Sequence, residues 1–212
     1  MEKITENVHH LPDLVGGPTL ILADNYAILV DTGLPGDEEQ ILGALEQLGR
    51  KRSDLKHILL THADPDHVGG LATIRSETGA EVYATPHEAD VIEGKEPMRN
   101  GDILDGVSVD YRVEPGSTID LHGGIQVVET HGHTSGHVAF YVVSDDVLIA
   151  GDCMTNTDGL TGSLPQFTAN PDQAREAVAK AAAVKPSGVV FGHGPSVVGG
   201  AADQLDELAK RV

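Results

Sequence analysis

Cysteine is nearly missing from this 212-residue chain: Cys153 stands alone, which excludes an internal disulfide framework. Tryptophan is absent, and only four Tyr and three Phe are present, so a core must be built from Val, Leu, Ile and Ala. Basic residues are few: fourteen against thirty-three acids, for a formal net charge of −19. A field of that sign repels phosphate backbones and anionic lipid surfaces, so neither nucleic acid nor membrane is an expected partner. The plain reading of the acidity is solubility. No apolar run approaches the roughly 20 residues needed to span a bilayer. The opening MEKITENVHH has no apolar core of a signal peptide, which leaves the cytoplasm as the default expectation.

What is present suffices for a packed domain: 40% apolar residues and an ordinary 22% charged. Leu20–Ala23 and Ala27–Val30 flank an Asp24-Asn25 turn and predict a hairpin. Ile41, Leu42, Leu45 and Leu48 have the spacing of an amphipathic helix over Asp37–Leu48, closed by Gly49. Further strands are predicted at His57–Leu60, Glu81–Ala84, Val107–Val113, Ile125–Glu129, Val138–Val143, Val147–Ala150 and Val189–Phe191. Helices are predicted at Leu71–Thr78, in a short piece after Pro86, at Pro171–Val184 with Asn170 as N-cap, and at Ala201–Lys210. The order describes a mixed α/β architecture with sheets inside and helices outside.

Candidate ligands recur just past the strand ends: Asp31, His62, His133, Asp152 and His193. A rigid sheet can aim loop side chains from such positions at one point. The densest stretch is Thr61–Gly70, THADPDHVGG. His62, Asp64, Asp66 and His67 place two imidazoles and two carboxylates within six positions. In an extended stretch His62, Asp64 and Asp66 share one direction and His67 takes another. That suits two neighbouring metal ions, and the remaining ligands must come from elsewhere: His133 in HGHTSGH, Asp152 in AGDCM, His193 in FGHG.

These motifs in this order, HxDxDH, GHTSGH, GD and GHG, resemble the metallo-β-lactamase superfamily, nearest to its glyoxalase II-like hydrolases. The resemblance runs from about Leu20 to Gly194. It implies a four-layer αββα sandwich, a single domain over 1–212 built of two similar halves, with a binuclear metal site. Carried over by motif, His62, Asp64 and His133 bind the first ion, Asp66, His67 and His193 the second, and Asp152 bridges both. Asp31 corresponds to a structural aspartate beneath the ligand loop. The implied activity is hydrolysis of a small carboxylic ester, thioester or lactone by a metal-bound hydroxide, with Asp66 also passing a proton to the leaving group.

The chain departs from the family's HxHxDH pattern at Asp64. A carboxylate for an imidazole lowers the formal charge of the centre by one unit and hardens the first site. The implied cofactors are two divalent ions, zinc first, with iron or manganese admitted by Asp64. Flavodiiron proteins carry Glu at the matching position, followed by the same Pro-Asp-His. A stand-alone diiron domain for redox or oxygen and nitric oxide sensing is therefore the runner-up reading, and a degenerate, non-catalytic domain a third. A further option for Asp64 is to cap the following helix.

Other residues are given quieter roles. His137 is expected to pack beside the site without binding metal. His87 and His131 read as surface and loop histidines, and His9, His10, His57 and His122 as surface or turn residues. Cys153 reads as a small buried residue. Fewer than twenty residues follow Gly194, with only Lys210 and Arg211 as bases, so no glutathione-holding helical domain is expected. Leu14, Met98, Leu164 and Phe167 are candidate walls of a pocket for a small-molecule substrate.

Overall fold

In the computed structural model, which describes Met1–Val212, the chain separates into two units, Met1–Arg112 and Val113–Val212. The first holds β1 (Glu2–Lys3), β2 (Val8–His10), β3 (Thr19–Leu22), β4 (Ala27–Val30), β5 (Leu55–Leu59), β6 (Glu81–Ala84) and β7 (Tyr111–Arg112). Its helices are α1 (Glu38–Gln47), α2 (Pro65–Val68), α3 (Leu71–Thr78) and α4 (Pro86–Ile92). The seven strands form one sheet in sequence order. β1 to β4 pair antiparallel, whereas β4, β5, β6 and β7 run parallel. Parallel pairing requires crossovers, and α1, α3 and α4 lie in them. α1 buries Ile41, Leu42, Ala44 and Leu45. Each fully buried Leu or Ile contributes about 1.5–3 kcal/mol, so this face anchors the helix.

The second unit holds β8 (Thr118–Ile119), β9 (Ile125–Glu129), β10 (Val138–Val142), β11 (Val147–Ile149), β12 (Met154–Thr155), β13 (Thr161–Gly162), β14 (Gly188–Val190) and β15 (Val197–Val198), with α5 (Pro171–Ala183) and α6 (Ala201–Ala209). Six strands form a sheet in the order β15-β14-β11-β10-β9-β8, and β12 pairs with β13 separately. β14 runs parallel to β11; the other neighbours are antiparallel. β9, β11 and β14 therefore point the same way. α5 is capped as anticipated: Asn170 Oδ1 accepts from the amides of Asp172 (3.1 Å) and Gln173 (3.2 Å), with Pro171 in the first turn. Such a cap contributes about 1 kcal/mol. Ala174, Ala177, Val178, Ala181 and Ala182 form its buried face.

Mixed sheets with packed helices are thus present in both units, and most boundaries fall within two residues of the anticipated ones. Beyond the short unanticipated elements α2, β8, β12, β13 and β15, two segments differ. Only Tyr111–Arg112 of the expected Val107–Val113 strand pairs with a neighbour. The alternation of Val107 and Val109 comes instead from packing against the first core, with their amides bonded to Ile92 O and Glu93 Oε1. β1 and β2 are the second difference. His9 and His10 are buried strand residues, not surface ones. His10 Nδ1 lies 3.0 Å from Thr19 Oγ1 on the paired strand. His57 is likewise no surface residue. It sits on β5 with edge-on ring contacts to Tyr26 at 5.3 Å and Tyr83 at 5.6 Å. No helix is long and apolar enough to cross a membrane.

Candidate metal centre

The first unit presents its candidate ligands past the C-terminal ends of parallel strands β4 and β5. Asp31 follows β4 in the left-handed region, φ 59°, which few non-glycine residues occupy. That conformation turns its carboxylate under the next loop. Asp31 Oδ1 accepts from the Thr61 amide (2.9 Å), and Oδ2 accepts from Thr61 Oγ1 (2.7 Å) and His67 Nδ1 (2.8 Å). The Thr61 hydroxyl hydrogen is thereby committed to Asp31, so at the 3.0 Å contact between Thr61 Oγ1 and His62 Nδ1 the imidazole donates. Both histidines thus carry hydrogen on Nδ1 and a lone pair on Nε2. This is the tautomer a metal ligand needs, fixed by an outer hydrogen bond. The backbone is held as well: Thr32 donates to His67 O through N (2.7 Å) and Oγ1 (2.9 Å), and the Ala63 amide donates to the buried Glu88 carboxylate (2.9 Å).

The stretch is not extended throughout, contrary to the direction argument made from sequence. Asp64 is the N-cap residue and Pro65 the first residue of α2, so Asp66 and His67 lie in a helical turn. This turn sorts the donors into two pairs. Asp64 Oδ2 lies 3.9 Å from His62 Nε2, and Asp66 Oδ2 lies 3.7 Å from His67 Nε2. The two imidazole rings are 4.0 Å apart at their centroids. His62, Asp64 and His67 are buried, and Asp66 is half-buried. Asp64 caps nothing with its side chain. Its Oδ2 instead accepts from Arg99 Nε (3.2 Å) and a terminal Arg99 nitrogen (2.5 Å).

The second unit supplies its candidates past the ends of β9, β11 and β14, on the edge those co-directed strands share. Asp152 is central: its Oδ2 lies 3.2 Å from His193 Nε2 and 3.7 Å from His133 Nε2. His133 Nδ1 is 3.0 Å from Ser163 Oγ, so the same outer-bond arrangement recurs. His193 is fixed through its carbonyl, which accepts from the Asn156 amide (2.9 Å) and Thr155 Oγ1 (3.1 Å). His137 takes another role. Its Nε2 accepts from the Asp152 amide (3.0 Å) and its Nδ1 faces Thr130 Oγ1 (2.9 Å). The Nε2 lone pair is occupied by the backbone, so His137 orients Asp152. Cys153 is buried, and burial pushes its thiol up to about 12, which keeps it protonated and inert.

A cavity of about 170 Å³ opens beside His133, Asp152 and His193, with Thr157, Leu164 and Phe167 among its walls. Met98 is not a wall: it is 8% exposed and packed into the first unit's core. Sequence reasoning missed Arg99, Glu88 and Ser163. Their contacts join positions 25 to 35 residues apart, a separation that no local sequence pattern records. The donor chemistry fits divalent metal: imidazole nitrogens with set tautomers, and carboxylate oxygens at their side.

Residues 15–193 match the family model of the metallo-beta-lactamase superfamily. The chain is 31% identical over 195 residues to the uncharacterized protein YobT of Bacillus subtilis (strain 168), covering 82% of this chain and 81% of that one. It is 30% identical over 185 residues to a hydroxyacylglutathione hydrolase of Rhodobacter capsulatus, covering 83% of this chain but 64% of the hydrolase. A metallo-beta-lactamase family protein from Thermus thermophilus superposes with a TM-score of 0.75 at 20% identity, over 99% of this chain and 80% of that one. The last likeness concerns the fold alone.

Proposed function

The chain belongs to the metallo-β-lactamase superfamily, and from that premise we propose that it is a metal-dependent hydrolase of a small carboxylic ester, thioester or lactone. The carrying observation is the tautomer setting at His62 and His67, where outer hydrogen bonds turn the Nε2 lone pairs toward Asp64 and Asp66. In this reading His62, Asp64, Asp66 and His67 of the first unit and His133, Asp152 and His193 of the second would be the residues that hold divalent metal. Zinc is the first candidate. A pair of such ions supplies an acidified water and a polarised substrate carbonyl.

The chain's own residues do the remaining work. Asp66, half-buried and therefore still reachable, would accept on a carboxylate oxygen the proton given up by the attacking water and pass that proton to the leaving group. Leu164 and Phe167 line the cavity beside His133, Asp152 and His193 and receive the acyl part of the substrate. A volume of about 170 Å³ favours a small acyl group. The hydroxyacylglutathione hydrolase among the relatives supports thioester chemistry over the diiron reading, which no observation favours.

The test is metal analysis of protein expressed without supplement, paired with a panel of thioesters, lactones and aryl esters. Two equivalents of metal and turnover that disappears with chelator and returns with metal are expected. Protein without metal that is fully stable and inactive would overturn the reading. For the proton-passing role, Asp66→Ala with both metals retained and an undiminished rate would remove Asp66 from the mechanism.

A further inference from the structure

Asp64 is where this chain departs from the HxHxDH pattern, and it is not a bare carboxylate. Arg99 donates twice to Asp64 Oδ2, through Nε (3.2 Å) and a terminal nitrogen (2.5 Å). That same oxygen is the one 3.9 Å from His62 Nε2. The Asp64 side chain is 7% exposed and buried, whereas Arg99 is an exposed residue whose side chain keeps 30% of its exposure, so the carboxylate is withdrawn from water and the guanidinium reaches it from the solvent side. The segment around Arg99 is braced. Met98 is buried, its amide donates to Asp102 O (2.8 Å), and the Gly101 amide donates to Met98 O (2.8 Å). As N-cap of α2, Asp64 would ordinarily bond the first-turn amides, yet its side chain makes no such bond. The carboxylate is held for Arg99.

We propose that Arg99 is a positioning residue that makes Asp64 a charge-compensated metal ligand. The Asp64–Arg99 pair carries the net charge of the neutral imidazole that HxHxDH places at this position. The hardening expected from a carboxylate at position 64 is therefore largely cancelled: the guanidinium withdraws electron density from Oδ2, fixes its direction and restores the positive charge of the centre. The inference rests on the metallo-hydrolase reading above. It adds that the metal preference of this chain is set by a residue 35 positions away from the ligand loop. A planar, two-point donor is required, so lysine is a partial substitute only.

The test measures Zn(II) and Mn(II) affinities by chelator competition, with the metals alone as probes, in wild type, R99Q, R99K, D64H and D64H/R99Q. In R99Q the Mn(II)-to-Zn(II) affinity ratio is expected to rise by about tenfold, the scale of outer-partner effects on metal sites. R99K is expected to fall between R99Q and wild type. D64H leaves the guanidinium without its carboxylate beside a cation and is expected to weaken both metals. Adding R99Q to D64H is expected to recover affinity, so that the R99Q effect depends on the residue at position 64. Wild-type selectivity in R99Q, or the same R99Q shift in both backgrounds, would overturn the inference while leaving the hydrolase reading in place. A wild type that binds neither metal would overturn both.

Discussion

Asp31 Oδ2 accepts a hydrogen bond from His67 Nδ1 at 2.8 Å, across 36 positions of sequence. The same carboxylate holds Thr61, and through it the tautomer of His62. One residue thus sets the lone pairs of two imidazoles. Asp31→Asn keeps a residue tolerant of the left-handed backbone but removes the charge. Metal affinity is expected to fall about 10- to 100-fold, the usual scale for an outer partner of a ligand histidine. Asp31→Ala adds a backbone cost of about 1–2 kcal/mol at φ 59°. Chelator competition and urea unfolding on both variants separate the two effects.

Gly16 lies against the ligand loop. Its φ is +82°, and a Cβ there would sit 2.0 Å from the Asp66 carbonyl oxygen. Backbone meets backbone, so no side-chain rotation relieves the contact. Gly16→Ala is expected to destabilise by about 1–3 kcal/mol and to weaken metal binding by displacing α2. Gly36→Ala is the control. Its φ is +102°, but a Cβ there meets nothing within 4 Å, so conformational strain should appear without loss of metal affinity. Equal metal affinity in the two variants would refute the steric argument.

His137 is expected to behave as a positioning residue. Its Nε2 receives the Asp152 amide, so His137→Phe leaves a buried donor without its acceptor at a cost of about 1–3 kcal/mol. Metal affinity should fall by about tenfold while the stoichiometry is unchanged, since no ligand is lost. His137→Gln, whose side-chain oxygen can accept, should recover part of the affinity. A drop in metal equivalents would instead make His137 a ligand.

His10 predicts an acid-labile core. Burial lowers its pKa from 6.5 to about 4. The unfolded chain therefore binds a proton that the folded chain refuses between those values, and stability is lost as pH falls from about 6.5 to 4. The contribution is on the order of 3 kcal/mol. Burial shifts His9 and His57 the same way, so the wild type keeps other sources of acid sensitivity. The difference between wild-type and His10→Leu unfolding curves across this window isolates His10. Parallel curves would contradict the burial argument.

Much of this was legible without coordinates. Periodicity located α1, because a helix buries residues at intervals the chain itself records. Local chemistry located the Asn170 cap and the hairpin between β3 and β4 for the same reason. The motifs named the superfamily, since ligand types at short spacings are a property of the chain. What spacing misread was the conformation between ligands: Pro65 opens a helical turn, and the donors pair as His62 with Asp64 and Asp66 with His67.

The chain by itself determined the metal-binding chemistry, the mixed α/β class and the oddity at Asp64, because each follows from residue identity and local order. Only the tertiary structure decided what surrounds them. The burial of His9 and His10, the clamp of Asp31 on Thr61 and His67, the use of His137 as an acceptor for Asp152, and the pairing of Asp64 with Arg99 all join distant positions. Hydrogen bonds and charge compensation depend on distances of a few ångströms in space, which sequence separation does not encode. The consequence is sharpest at Asp64, whose charge is written in the sequence and whose compensation by Arg99 is written only in the fold.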